Sequence, residues 1–180
     1  MPYQAIEVDQ SGKIETAQDT ILAYSDGRRY AICIPSRVKR AMLAYLRRQG
    51  RSKPRAVIWL FAAGLFLLLH DVLQVSRVTI DLEYAGHEAD IRSMVLRFAR
   101  QQGLQVEAEA ITFAAVGKQS GAHEQAIGVF RGHYKANRTI TLSELMAMSR
   151  GERKRPGSLT LHCSLAPWRC FQGFIRATRS

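Results

Sequence analysis

The sequence predicts an α/β fold in which two or three N-terminal antiparallel strands precede alternating helices and strands. Apolar and polar residues alternate over the first part of the chain, between turn signals, which is typical of antiparallel strands. The hydrophobic period then changes to that of helices, and strand-like and helix-like segments follow one another to about residue 150. We therefore expect a mixed sheet covered by helices.

The clearest hairpin signal lies near the N-terminus. Residues 20–24 and 30–34 are rich in side chains that favour strands, and Asp26-Gly27 between them is a tight-turn pair. Residues 5–15 alternate in the same way and predict a further strand that enters a turn. Asp26 is accordingly interpreted as a turn residue and not as a catalytic one.

Two successive helices are predicted next. Residues 36–48 place apolar side chains on one helical stripe and basic side chains on the other face. Residues 56–73 are apolar on all sides, but the most apolar run, 56–69, is shorter than the ~20 residues that a membrane span needs. We expect a buried helix without membrane contact. Three cysteines without a C-x-x-C pair favour a reduced, cytoplasmic compartment.

Strand-like and helix-like segments alternate in the second half of the chain. They are predicted, in order, as a strand at 78–84, a helix at 87–101, a strand at 110–116, a helix at 120–131 and a strand at 138–141. Ser120 is the expected N-cap of its helix, and Thr141 with Glu144 forms a capping box for a final one. The predicted domain covers 1–149, and 150–180 is a poorly patterned basic extension.

The chain is strongly basic, with 26 Lys and Arg against 15 Asp and Glu, a net charge of +11. A basic excess of this kind suits a phosphate backbone, because neutralised phosphates release counterions. Nucleic acid is therefore the expected partner, and a basic protein without such a partner is the alternative. The side chains expected to contact nucleic acid are Lys13, Arg37, Lys39, Arg40 and Lys118.

Carboxylates follow the apolar parts of two predicted strands. Asp81 and Glu83 lie on one face near the carboxyl end of the strand at 78–84, where open α/β sheets bind ligands. Their oxygens are ligands that Mg²⁺ prefers. Asp9 follows the apolar part of the first strand and is the second candidate. The alternatives are an edge carboxylate satisfied within the protein for Asp81 and turn chemistry for Asp9.

The third candidate element is the start of the helix at 120–131. Lys118 precedes free backbone N–H groups at the helix start, an arrangement that suits an anion. His123 or Glu124 in the first helical turn can complete a carboxylate site, as a ligand or as a general base. A surface position without a chemical role is the alternative for both.

This layout resembles an RNase H-like domain of the kind found in Holliday-junction resolvases. The resemblance depends on Asp9 at the end of a first strand, Asp81 in a later central strand, and a last helix that opens with Ser120-Gly-Ala-His123-Glu124. The chain departs from that pattern in having two successive helices before the central strand.

The resemblance implies two Mg²⁺ or Mn²⁺ ions that hold a phosphodiester for in-line attack by water. It implies that Asp9, Asp81 or Glu83, and His123 or Glu124 hold the metals, with Lys118 against phosphate. It also favours a homodimer.

The expected function is that of a metal-dependent nuclease that hydrolyses phosphodiester bonds in DNA or RNA. Two alternatives have the same fold. One is a non-catalytic nucleic-acid-binding protein that uses the basic helix at 36–48 and the C-terminal extension. The other is a mobile-element, transposase-like fragment with an incomplete acidic site.

Overall fold

The described chain forms a six-stranded mixed sheet with five α-helices, so the predicted α/β class is confirmed. The computed structural model describes residues 4–151, and the predicted extension falls outside them except for the two residues that end the last helix. The strands are β1 Gln4–Ser11, β2 Thr20–Ser25, β3 Arg29–Ile34, β4 Ser76–Ile80, β5 Ile111–Phe113 and β6 Arg138–Thr139. The helices are α1 Ser36–Arg48, α2 Lys53–Leu69, α3 Glu88–Gln101, α4 Gly121–Phe130 and α5 Leu142–Gly151.

The strand order across the sheet is β5-β4-β1-β2-β3-β6. The first three strands are antiparallel neighbours, as the sequence predicts. β4 is parallel to β1 and β5 is parallel to β4, so these three strands end at the same edge of the sheet. β6 pairs in parallel with β3 at the far side.

The hairpin between β2 and β3 turns at the predicted residues. Gly27 has a φ of 93°, which a side-chain-bearing residue rarely adopts. The Asp26 carboxylate accepts a hydrogen bond of 2.8 Å from the Arg28 N–H. The interpretation of Asp26 as a turn residue is confirmed.

Helix α2 is the centre of the hydrophobic core, with thirteen of its residues buried. It packs on β2, β3, α1 and α3, and the Trp59 ring lies edge-on to Phe98 with centroids 5.6 Å apart. Within residues 4–151, no helix is long and apolar enough to cross a membrane.

Three predicted strands are shorter in the structure, and the one predicted at 138–141 is limited to β6. The strand predicted at 78–84 ends at Ile80, because the chain turns after Asp81 and the Glu83 N–H donates back to the Asp81 carbonyl at 2.9 Å. The strand predicted at 110–116 is limited to β5, and the Ala114 N–H donates to the Ile80 carbonyl at 3.1 Å. Because β4 ends at Ile80, the residues after Ala114 have no neighbouring strand with which to pair, and β5 stays short.

The predicted starts of α4 and α5 are confirmed, whereas the helix predicted at 56–73 begins at Lys53 and ends at Leu69. The Ser120 hydroxyl accepts from the Ala122 N–H at 3.2 Å and caps α4. At α5 the Thr141 N–H donates to the Glu144 carboxylate at 2.7 Å, and the Glu144 N–H donates to the Thr141 hydroxyl at 3.4 Å. Both helices therefore begin where their own side chains satisfy free backbone N–H groups.

Gly64 lets α2 approach the sheet closely, and this contact gives a stability prediction. A Cβ at Gly64 would lie 2.7 Å from Leu22 Cδ1 and 2.9 Å from Ile34 Cδ1. We expect Gly64→Val to lower the free energy of unfolding by about 1–3 kcal/mol through overpacking. The measurement is urea unfolding. The matched control is Ala44→Val on the exposed side of α1, with an expected loss of about 0.5 kcal/mol. Equal losses in the two variants would contradict the close packing.

Candidate metal centre

Three carboxylates meet where β1 and β4 run side by side. Asp9 lies within β1, and Asp81 and Glu83 follow β4 directly. One carboxylate oxygen from each lies within 4.8 Å of the other two. The Asp81 N–H donates to the Val8 carbonyl at 3.0 Å, which extends the β1–β4 pairing by one bond. The parallel pairing of these strands therefore brings the acidic residues together.

The orientation of the Asp81 carboxylate is fixed by the loop after β5. Its Oδ1 accepts a hydrogen bond of 2.7 Å from the Val116 N–H. Lys118 follows two residues later and is exposed, and the same loop leads into α4. The loop is thus attached to the cluster through Asp81, and Lys118 is an exposed residue of the same loop.

Asp9 is the most buried of the three acids, with 5% of its surface exposed. Burial is the main cause that raises its pKa, and the Asp81 carboxylate adds to the rise. His123 opposes it, because His123 Nδ1 lies 3.0 Å from Asp9 Oδ2. His123 comes from the first turn of α4, which packs across β1 and β2.

The pKa of Glu83 is also raised, and again burial is the largest cause. The Lys13 ammonium, 3.8 Å from the Glu83 carboxylate, lowers it, while Asp81 and Asp9 raise it. Crowding of negative charge in a partly buried position is therefore a property of the whole cluster.

The donor set fits a hard divalent cation. All three ligand atoms are carboxylate oxygens, which Mg²⁺ and Mn²⁺ prefer. Mg²⁺ binds oxygen at about 2.1 Å in octahedral geometry, so ligand oxygens around one ion lie about 3.0 Å apart when adjacent and about 4.2 Å apart when opposite. The three ligand atoms lie within 4.8 Å of each other, so the carboxylates would have to close in around the ion. A divalent cation would also offset the charge repulsion that adds to the effect of burial on the pKa of Asp9 and Glu83.

The β1–β2 loop is held against the cluster by Tyr84. The Tyr84 hydroxyl accepts from the Ile14 N–H at 3.2 Å and donates to the Glu15 carboxylate at 3.0 Å. Its ring packs on Phe61 of α2 with centroids 4.8 Å apart. These contacts hold the segment that carries Lys13, and sequence reasoning missed them because they join residues about seventy positions apart.

Lys39 is the clearest error among the predicted nucleic-acid contacts. Only 1% of its surface is exposed. Its ammonium donates to the Lys13 carbonyl at 2.9 Å, the Thr16 carbonyl at 3.2 Å and the Thr20 hydroxyl at 2.8 Å. Lys39 therefore anchors the β1–β2 loop from inside, and burial lowers its pKa. The sequence spacing indicates that Lys39 lies on the buried face of α1, since it precedes the buried Met42 by three residues and Leu46 by seven.

Glu124 is not brought into the cluster, in contrast to the predicted role as a metal ligand. Its carboxylate is exposed and forms an ion pair of 2.6 Å with Arg29 of β3. Neighbouring residues of a helix point about 100° apart, so His123 and Glu124 cannot both face Asp9. The start of α4 is held by a further contact, in which the Ser120 hydroxyl donates to the Glu7 carboxylate at 2.6 Å.

The other predicted contacts lie on the surface. Lys13, Arg37, Arg40 and Lys118 are all exposed. Lys13 and Lys118 lie on the two loops that border the carboxylates, and Arg37 and Arg40 lie on the outer side of α1. Their contact with nucleic acid stays a prediction.

Comparisons with known proteins do not place the chain in a family. No family model matches it, and no curated protein or solved structure is significantly similar to it. The chemistry of the centre is therefore inferred from the geometry of its own residues.

The raised pKa of Asp9 predicts how stability depends on pH. Below about pH 3.9, the pKa of an aspartate in an unfolded chain, the carboxyl is protonated in both states. As the pH rises from there through the higher pKa of the folded state, Asp9 ionises more readily in the unfolded chain than in the folded protein, so the wild type loses stability. Asp9→Asn has no carboxyl at this position and does not lose that stability. Without divalent metal, we expect the unfolding free energy of Asp9→Asn to rise relative to wild type between pH 4 and pH 8.

Chemical denaturation across this pH range, in the presence of EDTA, measures the difference. Glu124→Gln is the control, since this exposed carboxylate is paired with Arg29 outside the cluster. Its stability relative to wild type should show no such rise. The electrostatic description of the cluster is wrong if Asp9→Asn instead loses stability relative to wild type as the pH increases.

Proposed function

We propose that this protein is a metal-dependent nuclease with an RNase H-like fold, which hydrolyses a phosphodiester bond of DNA or RNA. The observation that carries the proposal is the meeting of Asp9, Asp81 and Glu83 within 4.8 Å, beside a histidine, at adjacent parallel strands. This is a donor set for Mg²⁺ or Mn²⁺, the cations that pair naturally with a phosphate substrate.

The strand order supports this fold. Three antiparallel strands precede β4 and β5, which join the sheet parallel to β1, and Asp9 lies on that central strand. The resemblance noted in the sequence implies such a mixed sheet. The fold accommodates two successive helices before β4, because α2 packs on the sheet, whereas α1 packs on α2 and α5.

The residues of the centre divide the chemical work. When bound, a divalent cation supplies Lewis acidity for the activation of water and positive charge next to the phosphate. Asp81 is held in position by the Val116 N–H, and Asp9 is held by His123. The oxygen of water attacks phosphorus as the bond to the leaving oxygen breaks. The water gives up a proton to the His123 imidazole or to solvent, and the leaving oxygen takes up a proton from solvent.

The basic residues around the centre suit a polyanionic substrate. Lys13 lies beside Glu83, Lys118 is exposed on the loop that binds Asp81, and Arg37 and Arg40 are exposed on α1. Cations at these positions contact phosphates and offset the negative charge of the cluster during approach of the substrate.

A non-catalytic nucleic-acid-binding protein is the second candidate. Within the described residues, Asp9 has a basic partner in His123 and Glu83 has one in Lys13. Two of the three carboxylates thus have charge partners that do not depend on a metal ion. This candidate predicts binding of nucleic acid without turnover.

Cleavage of labelled nucleic acids separates the two candidates. A panel of duplex DNA, RNA–DNA hybrid, single strands and a four-way junction is incubated with Mg²⁺, Mn²⁺ or EDTA. We expect cleavage only with metal. Asp9→Asn and Asp81→Asn should each lower the rate by about 100-fold or more, because even outer-shell changes at metal sites cost 10–100-fold.

Glu124→Gln is the matched control, since it removes a carboxylate on α4 next to His123 but outside the cluster. It should retain most of the activity. Cleavage that persists in EDTA, or in both aspartate variants, would contradict the proposal of a metal-dependent nuclease. Binding of the panel without any cleavage would favour the second candidate.

A further inference from the structure

The positive charge of this protein is concentrated in one segment. Residues 27–70, from the β2–β3 turn to the end of α2, contain ten Arg and Lys and no Asp or Glu. The other 136 residues carry sixteen basic and fifteen acidic side chains and are almost neutral. Residues 27–70 therefore account for a charge of +10 out of the net charge of +11, and eight of these ten basic side chains lie on β3, α1 and α2.

Four arginines of this segment line one side of α1. Arg37, Arg40, Arg47 and Arg48 are exposed and follow each other at i, i+3, i+10 and i+11, which places them along one helical face. We call them the α1 stripe. At 1.5 Å per residue the stripe is about 16 Å long. The opposite face of α1 is buried in the core through Val38, Met42 and Leu46.

The α1 stripe is not compensated within the folded domain. Among residues 4–151, none of its four guanidinium groups takes part in an ion pair, in contrast to Arg29, which pairs with Glu124. The first turn of α1 contains no acidic residue, and Arg37 lies at the helix end where a cation is unfavourable, whereas Arg47 and Arg48 lie in the last turn, where cations are favourable. Like charges on one helix face repel each other. The four exposed guanidinium groups, without an ion pair among the described residues, are available to an anionic partner.

We propose that the α1 stripe binds the phosphate backbone of the nucleic acid at a distance from the bond that is cleaved. The identity of the partner rests on the proposed function. Arginine suits this role, because its planar guanidinium forms paired hydrogen bonds with phosphate oxygens. The exposed residue between the arginines is Ala44, without the large apolar side chains that membrane-surface helices insert into lipid.

The N-terminal end of α1 lies against the loop that borders the centre. The Ser36 N–H at the start of α1 donates to the Asp19 carboxylate at 2.7 Å, and Lys39 is bonded to the Lys13 and Thr16 carbonyls. Helix α1 thus begins against the loop whose Lys13 faces Glu83. A strand with one phosphate at the carboxylates can extend along α1, where 16 Å corresponds to about five nucleotides of one strand.

The test measures binding without cleavage. Fluorescence anisotropy of a labelled 30-base-pair duplex is followed in EDTA at several salt concentrations. Arg47→Gln with Arg48→Gln should weaken binding about tenfold or more at 150 mM salt and reduce the salt slope by about 2, since each lost phosphate contact contributes about 0.9. The control pair is Arg100→Gln with Arg131→Gln, exposed arginines outside 27–70, which removes the same charge.

The outcomes separate this inference from the proposed function. A loss confined to the Arg47 and Arg48 pair supports the stripe. Equal losses in both pairs mean that net charge alone governs binding, and that result overturns it. Wild-type binding to phosphatidylserine vesicles but not to duplex overturns it in favour of a membrane. Salt-dependent binding through the stripe without cleavage in any metal defeats the nuclease proposal alone.

Discussion

The parallel pairing of β1 with β4 is the constraint on which the candidate centre depends. Residues far apart in the chain reach the same edge of the sheet because Val8 pairs with Ile80 and the Asp81 N–H then bonds to the Val8 carbonyl. Helix α2 packs on the sheet at β2 and β3, and the chain after it leads to the start of β4. The buried apolar helix thus lies between the N-terminal strands and β4 in the chain and contributes no ligand to the site.

The three carboxylates that this pairing brings together are contacted by residues of α4 and of two loops. His123 on α4, Lys13 on the β1–β2 loop and the Val116 N–H each contact one of the three acids. Lys39 supports the same loop from within the core. The cluster is thus supported by a network that limits how far the carboxylates can move apart, which favours a preformed cation site.

The sequence predicted the class of fold and most elements because their signals are local. The turn at Asp26 and Gly27, the cap at Ser120 and the box at Thr141 were all confirmed. Strand ends were less predictable, because a strand stops where its neighbour turns away, and that depends on residues distant in the chain.

The candidate site was predictable to a similar extent. Asp9, Asp81 and Glu83 follow apolar strand residues, and the structure brings them together. The sequence could not decide between His123 and Glu124, because the orientation of α4 about its axis determines which of the two side chains faces Asp9. The buried state of Lys39 was overlooked because a cation on a helix is ordinarily exposed, and here three oxygen acceptors from a loop and from β2 offset its burial.

If the three carboxylates form one cation site, Mn²⁺ soaked into crystals should bind there, and anomalous diffraction locates it. We expect a strong anomalous peak within ligand distance of oxygens from Asp9, Asp81 and Glu83, and its loss in crystals of Asp9→Asn. A map in which Mn²⁺ binds only elsewhere, with His123 and Lys13 still paired to the acids, would contradict it.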